Sequence, residues 1–476
     1  MSYEMVVGLE IHAQLQTRAK VFAPEAVTFG EHPNRFVSWV SLGYPGTLPV
    51  VNQSCVEAAI RLGLALNCEI PSTFYFSRKN YFYPDLPKGY QISQEAAPIA
   101  RNGWTVIRLP DGTRFRVGIE RIQLEEDTGK SLHDQDPFDT LLDFNRAGIG
   151  LVEIVSAPDI RTAQQAMAYL AHIRRLVRFL GICDGNMEEG SLRCDANISV
   201  RPVGSSTWGN RVEIKNLNSI SALGKALEYE YARQVALVER GEAVVRETRT
   251  WDGSQTVPLR EKETADDYRY FPEPDIPPIN ISISWLEKLR VSLPELPDSL
   301  LERLVQEYGL SPDDATLVVE DRPYAEYFLG LLAAGVSPRS AAVWLNGPIR
   351  AYLNQTATSM QNFPLPPQRL AELIGLVESR QVNLNAAREV LFPLLVQSPV
   401  RSALEIAREK DLLLMQDESQ LEQWITEVLM ENAEKVESYK KGKSGLLGYF
   451  VGQVMRRSGG KADPREVQRK ITEKLV

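Results

Sequence analysis

The sequence predicts an α+β protein: a mostly antiparallel sheet domain over residues 1–290, an all-helical domain over 295–402 and a small helical tail over 403–476. Three observations predict it. Short runs of alternating apolar and polar residues, separated by Gly, Pro and Asn/Asp turns, fill the first part of the chain, and a period of two marks a half-buried strand. The passage YFPEPDIPPINISIS then interrupts, because repeated Pro disfavours helix interiors and central strands alike. Beyond Pro297 the apolar period changes to that of a helix. A chain of 476 residues suits such a division, at roughly 100–200 residues per domain.

In order, VVGLEIHAQL, FRVGIERIQL, LVEIVS, RCDANISVRP and RVEIKNL read as strands. Two segments of this domain read as helices: CVEAAIRLGLALN, ending at Asn67, and TAQQAMAYLAHIRRLVRFLG, ending at Gly181. In the second half, Asp298 or Ser299 caps SLLERLVQEYG before Gly309, and YAEYFLGLLAAG and RSAAVWLNGPIRAYL continue the helical period.

Composition excludes several classes. With 43% hydrophobic and 24% charged residues the chain is neither collagenous nor disordered, and no apolar run reaches the ~18–20 residues of a membrane-spanning helix. Its start carries acids where a signal peptide has a basic flank, and none of its four cysteines forms a C-x-x-C pair, so a soluble protein of the reducing cytoplasm is expected. The net charge of −9 is uneven: residues 440–476 carry +7, against −16 for the rest. Lys440, Lys441, Lys443, Arg456, Arg457 and Lys461 in that tail are therefore candidate phosphate contacts.

Strand parity places the chemistry. In VVGLEIHAQL, Val7, Leu9, Ile11 and Ala13 share one face and leave Glu10, His12 and Gln14 on the other. The same reasoning exposes Glu153, then Arg193 and Asp195, then Glu213 and Lys215. Carboxylates gathered on one sheet repel unless a cation sits among them, and oxygen ligands with one His suit Mg²⁺. With Arg and Lys between them they suit phosphoryl transfer. In LEEDTGKS the register is ambiguous: Val117 and Ile119 set one apolar parity and Ile122 and Leu124 the other, so a bulge or bend intervenes and either Glu125 or Glu126 joins the floor. Lys79, Tyr81 and Tyr83 in KNYFYPDLPKGYQISQ suit stacking against a base or an aminoacyl end. No Walker A loop exists, since its first Gly is replaced by Leu124 before Gly129-Lys130-Ser131 and by Glu437 before Gly442-Lys443-Ser444. No nucleophile motif exists either, so any ATP is held by the sheet.

Together VGLEIHAQL, SRKNYFYPDLPKGYQISQ, LEEDTGKS, LVEIVSAPD, MEEGSLRCDANISVRP, EIKNLNS, DDYRYFPEPDIPP and GYFVGQVM resemble the B subunit of the aspartyl/glutamyl-tRNA amidotransferases over nearly the whole chain. The resemblance implies a cradle domain similar to the glutamine synthetase catalytic fold, a helical domain and a tRNA-gripping tail. It implies a ligase forming a carbon–nitrogen bond, which uses ATP and Mg²⁺ to phosphorylate the side-chain carboxylate of Glu-tRNA(Gln) or Asp-tRNA(Asn). The implied partners are an amidase, the A subunit, which supplies ammonia, and a small C subunit, in a heterotrimer. Carried onto this chain the resemblance puts the metal on His12, Glu126 and Glu153; Glu10, Arg193, Asp195 and Lys215 rest on strand-face geometry. Some members carry a Cys pair where this chain has Ser38 and Ser41, so no zinc is expected there. The competing readings are a non-catalytic tRNA scaffold and a metal-dependent hydrolase.

Overall fold

The computed structural model describes residues 2–133, 135–261, 265–414, 418–459 and 461–475. It divides into two compact units, Met1–Leu300 and Leu301–Val476. The first is α+β. In chain order it contains β1 (Tyr3–Gln14), α1 (Gln53–Ala65), β2 (Ala100–Arg108), β3 (Arg114–Glu126), β4 (Gly150–Ser156), α2 (Ala163–Phe179), β5 (Leu192–Pro202), β6 (Val212–Lys215), α3 (Ile220–Glu239), β7 (Glu247–Trp251) and β8 (Thr256–Glu261). These eight strands form one sheet in the order β8-β7-β6-β5-β1-β4-β3-β2. Every neighbouring pair is antiparallel except β6 and β7, and a parallel pair needs a crossover, which α3 supplies.

One face of this sheet is apolar for the reason its alternation predicts. Val7, Leu9, Ile11 and Ala13 of β1 are wholly buried, in one core with Leu62 of α1, Ile173 of α2 and Leu227 of α3. Each such Leu or Ile contributes roughly 1.5–3 kcal/mol of burial, so the helix-covered face holds the sheet and leaves the other for chemistry. The three helices start where a side chain replaces a missing backbone partner: Asn52, Thr162 and Ser219 accept from the amides of Ser54, Gln165 and Ala222. Past α1 and α2, Asn67 (φ 54°) and Gly181 (φ 65°) take the left-handed conformation that ends a helix.

The sequence reading lacked α3. Its stretch Glu228-Tyr229-Glu230-Tyr231 alternates with period two and mimics a strand. In the helix Glu230 is fully buried, and its charge is met by Arg233 (2.7 Å), Gln234 (2.8 Å) and the Thr256 hydroxyl (2.7 Å). Asp298 also differs from expectation: it lies in the first turn of Pro297–Gln306 rather than before it, and binds His172 Nδ1 at 3.1 Å. The bulge expected in β3 is present. Its pairing with β4 shifts by one residue between Ile119 and Arg121, which lets Val117, Ile119, Ile122 and Leu124 all face the core despite their opposite parity.

The second unit is helical. Its first part includes Arg322–Ala333, Pro338–Trp344, Arg350–Thr356, Pro367–Glu378 and Phe392–Gln397, interrupted by two π turns, Leu345–Ile349 and Ala387–Leu391. Ala403–Glu409 packs on Pro367–Glu378, and a separate core of Leu421, Ile425, Phe450, Val454, Val467 and Ile471 holds the last four helices. Among the described residues no helix is long and apolar enough to cross a membrane.

Candidate active site

The polar face is assembled across the sheet centre by register. His12 on β1 lies opposite Glu153 on β4 and opposite Arg193 on β5, while Glu10 lies opposite Asp195. Downstream of its bulge, β3 pairs Gln123 with Glu153, so the outward parity runs Gln123, Glu125. The three side chains His12, Glu125 and Glu153 thus converge: His12 Nε2 is 3.8 Å from Glu125 and 3.7 Å from Glu153, and each residue has a ligand atom within 4.8 Å of the others.

Glu126, the third ligand expected from the resemblance, does not belong to this cluster. One residue beyond Glu125 on an extended strand, it points to the opposite face. There its carboxylate takes hydrogen bonds from Lys88 and from the Ile92 amide at 2.8 Å. Among the described residues the three-membered cluster therefore holds Glu125, and Glu126, which the resemblance implies, lies outside it.

Electrostatics set this cluster apart from an ordinary charged surface. Burial pushes the Glu125 carboxyl above the usual carboxylate range, against Lys79 and the Ser93 hydroxyl, which donates at 2.8 Å. Burial raises Glu153 too, and the neighbouring Glu125 adds to it while His12 opposes. Two carboxyls held above their ordinary range beside an imidazole are a site that a cation would relieve. Two hard oxygen donors and one nitrogen fit Mg²⁺, which keeps part of its water shell.

Cations flank the cluster on both sides. Arg193 donates to Asp127 at 2.9 Å; that charge raises the guanidinium, so it stays protonated. Burial raises the Asp127 carboxyl, but Arg193, Arg146 and the Gln14 amide (2.6 Å) outweigh it and hold Asp127 below the ordinary range. Lys215 bonds Asp195 at 2.6 Å and lies 3.6 Å from Glu213; these carboxylates overcome the burial that would lower it. Glu10 accepts from Asn197 at 2.8 Å. Lys79 sits over the rings of Tyr268 (4.8 Å) and Tyr81 (5.8 Å), and the Tyr81 hydroxyl reaches Gln91 at 3.2 Å.

Comparison with known proteins is decisive at this point. A family model described as the GatB/GatE catalytic domain matches residues 5–287, and one described as the GatB domain matches residues 326–475. The chain is 48% identical over 472 residues to the B subunit of the aspartyl/glutamyl-tRNA(Asn/Gln) amidotransferase of Synechococcus sp. (strain JA-3-3Ab), covering 98% of this chain and 96% of the relative. The same protein of Thermosynechococcus vestitus is 48% identical over 486 residues (100% and 97%), and that of Thermodesulfovibrio yellowstonii 46% over 473 (99% and 99%). The chain belongs to the amidotransferase B-subunit family.

The structure brings the expected Glu10, His12, Glu153, Arg193, Asp195 and Lys215 together on one sheet face and places Lys79 and Tyr81 beside it. Tyr83 packs on Tyr81 (6.1 Å) but is half exposed. Parity left Glu125 open beside Glu126 and gave Asp127 no role; missed were Tyr268 and Tyr270, which extend the ring cluster at 6.1 and 5.9 Å from a segment almost 190 residues away. Burial and the charges of Glu125 and Glu153 raise Tyr270 above the ordinary phenol range, so it remains a hydrogen-bond donor. A Tyr-x-Tyr pair was the available signal. In the tail of this family member, Lys440, Lys441, Lys443 and Arg456 are exposed, whereas Arg457 pairs with Glu431 (2.9 Å) and Lys461 with Asp411 (2.6 Å).

Proposed function

We propose that this chain is the B subunit of a tRNA-dependent amidotransferase, and that its sheet floor activates the side-chain carboxylate of Glu-tRNA(Gln) or Asp-tRNA(Asn) at the expense of ATP. The observation that carries the reading is the three-donor set His12, Glu125 and Glu153 between flanking cations on a chain of this family. Phosphoryl transfer gives an acyl phosphate and ADP. Ammonia then attacks the acyl carbon, phosphate leaves, and one proton is lost to give the amide. No nucleophile motif for releasing ammonia occurs in the sequence, which favours a separate amidase partner of the A type, with a small C-type partner to complete a heterotrimer.

His12, Glu125 and Glu153 would hold Mg²⁺, which supplies charge neutralisation for phosphate oxygens. Arg193 is held by Asp127 and Lys215 by Asp195, so both present fixed positive charge to the transferred group without reorganising. Lys79 stands over its tyrosine rings, suited to orienting the substrate carboxylate, and Tyr81, Tyr268 and Tyr270 offer faces for the terminal base. The exposed tail lysines suit tRNA phosphates.

The test is amide formation on Glu-tRNA(Gln) and Asp-tRNA(Asn) with ATP, Mg²⁺ and ammonium chloride, with and without co-expressed partners. Product that requires ATP and disappears with His12→Ala supports the reading. Product that survives His12→Ala refutes the metal assignment, and none under any combination leaves a tRNA scaffold. Phosphate release from ATP that ignores mischarged tRNA points to a hydrolase instead.

A further inference from the structure

We infer that a pocket in the second unit, between residues 348–356 and 388–397, holds one splayed nucleotide of an RNA with its phosphate on Arg388. The inference rests on the reading that this chain handles tRNA and adds a contact outside both the sheet floor and the basic tail. The pocket measures about 700 Å³, and Pro348, Tyr352, Gln355, Arg388, Phe392 and Gln397 line it. That size is in the range of small-ligand sites.

Its walls are built irregularly. The π turn Leu345–Ile349 contains Pro348, and the π turn Ala387–Leu391 contains Arg388. Each adds a residue to its helical turn and so swings the following side chains out of the regular 3.6 period, a device that recurs at ligand sites. The buried Trp344 ring lies beneath Arg388, at 5.8 Å from the guanidinium. The Arg388 Nε is buried without a hydrogen-bond partner, and among the described residues no carboxylate pairs with this guanidinium. A half-buried cation lacking its counter-ion is costly, and an anion entering the pocket would remove that cost.

The remaining lining selects among anions. A protein carboxylate would engage the guanidinium and leave the rest of the pocket unused. A nucleotide would use all of it: Phe392 and Tyr352 for stacking on the base, Pro348 and Pro393 for apolar contact with it, Gln355 and Gln397 for the base edge or the ribose hydroxyl. RNA recognition commonly takes such extruded nucleotides from loops.

The experiment measures tRNA affinity of the full chain, alone and with its partners, between about 50 and 200 mM salt. Arg388→Gln removes the phosphate contact. Ala351→Trp fills the pocket from an exposed lining position and leaves Arg388 in place, and a thermal melt matching wild type certifies both variants. Each should bind tRNA about 10-fold more weakly, and Arg388→Gln should reduce the slope of log K against log salt by about 0.7–0.9. Cytidine or uridine monophosphate, followed by calorimetry, should bind wild type and neither variant. Wild type that binds tRNA while both variants match it in affinity and slope overturns the inference and leaves the proposed function intact; wild type that never binds tRNA sinks that function. Inorganic phosphate binding as tightly as the nucleotides, or loss of binding to the partner chains in place of tRNA affinity, overturns the nucleotide assignment as well.

Discussion

Exchanging Glu125 and Glu126 separately for Gln distinguishes two residues that are adjacent in sequence and opposite in structure. Glu125→Gln removes one charge from three groups whose ligand atoms lie within 4.8 Å, and an effective dielectric of ~20 puts the repulsion between two full charges at that distance at about 3.5 kcal/mol. The Ser93 hydrogen bond can be kept by the amide, so without metal the variant should be as stable as wild type or melt a few degrees higher. Wild type should gain about 2.7 kcal/mol at Mg²⁺ one hundred times its dissociation constant, and Glu125→Gln should lose most of that gain. Glu126→Gln has the reverse signature. It strands Lys88, whose side chain is 10% exposed, and should cost about 3–5 kcal/mol while the Mg²⁺-dependent rise persists. Differential scanning fluorimetry against Mg²⁺ concentration reads both effects. A melting temperature that responds to Mg²⁺ in Glu125→Gln but not in Glu126→Gln would refute the argument from strand parity.

Lys215→Met should lower kcat for amide formation roughly 100-fold with tRNA affinity unchanged, measured by aminoacyl-product analysis and anisotropy, because it removes one fixed charge from the floor. The triple variant Lys440→Gln, Lys441→Gln, Lys443→Gln should weaken tRNA binding most at low salt and reduce the salt slope by about 2–3; an unchanged slope means these lysines do not meet phosphate. Burial raises the Asp298 carboxyl, but His172 and Arg175 outweigh it and hold it below the ordinary range. A depressed carboxyl stabilises above its unfolded value near 4 and loses that contribution as pH falls through the folded value, so Asp298→Asn should cost about 0.5–1 kcal/mol at pH 7 and nothing in strong acid, read by urea melts across pH. Gly103→Ala should cost about 1–3 kcal/mol in the same melts, since its Cβ would lie 2.6 Å from the Leu66 carbonyl oxygen as well as against Cys68.

What could be read from sequence divides along one physical line. The floor of β1, β4, β5 and β6 was legible because alternation binds each polar residue to the apolar residues beside it; once Val7, Leu9 and Ile11 are buried, Glu10 and His12 have no other place to go. The parity of β3 was not, because a bulge reverses inside from outside and its position depends on the partner strand. Glu120 is the residue left over, and only with it located does Glu125 rather than Glu126 face His12. Lys79, Tyr268 and Tyr270 meet through tertiary contact, which leaves no spacing along the chain. α3 escaped because two Glu-Tyr repeats imitate a strand, whereas in the helix Glu230 turns inward to Arg249 and Thr256, partners that no local spacing announces.

The placement of β1 at the middle of its sheet has a cost in time. Its two neighbours are β4 and β5, so β1, once synthesised, waits for residues 150–156 before its first edge is paired and for residues 192–202 before its second. At ~5–20 residues per second the first wait is about 7–30 s and the second about 10–40 s, in which an apolar strand with open edges is exposed to every other nascent chain. Such sequence-distant pairing also slows folding itself. Production of this protein should therefore respond to translation speed and chaperone supply more than its native stability would suggest, and His12 acquires its neighbours only once that wait is over.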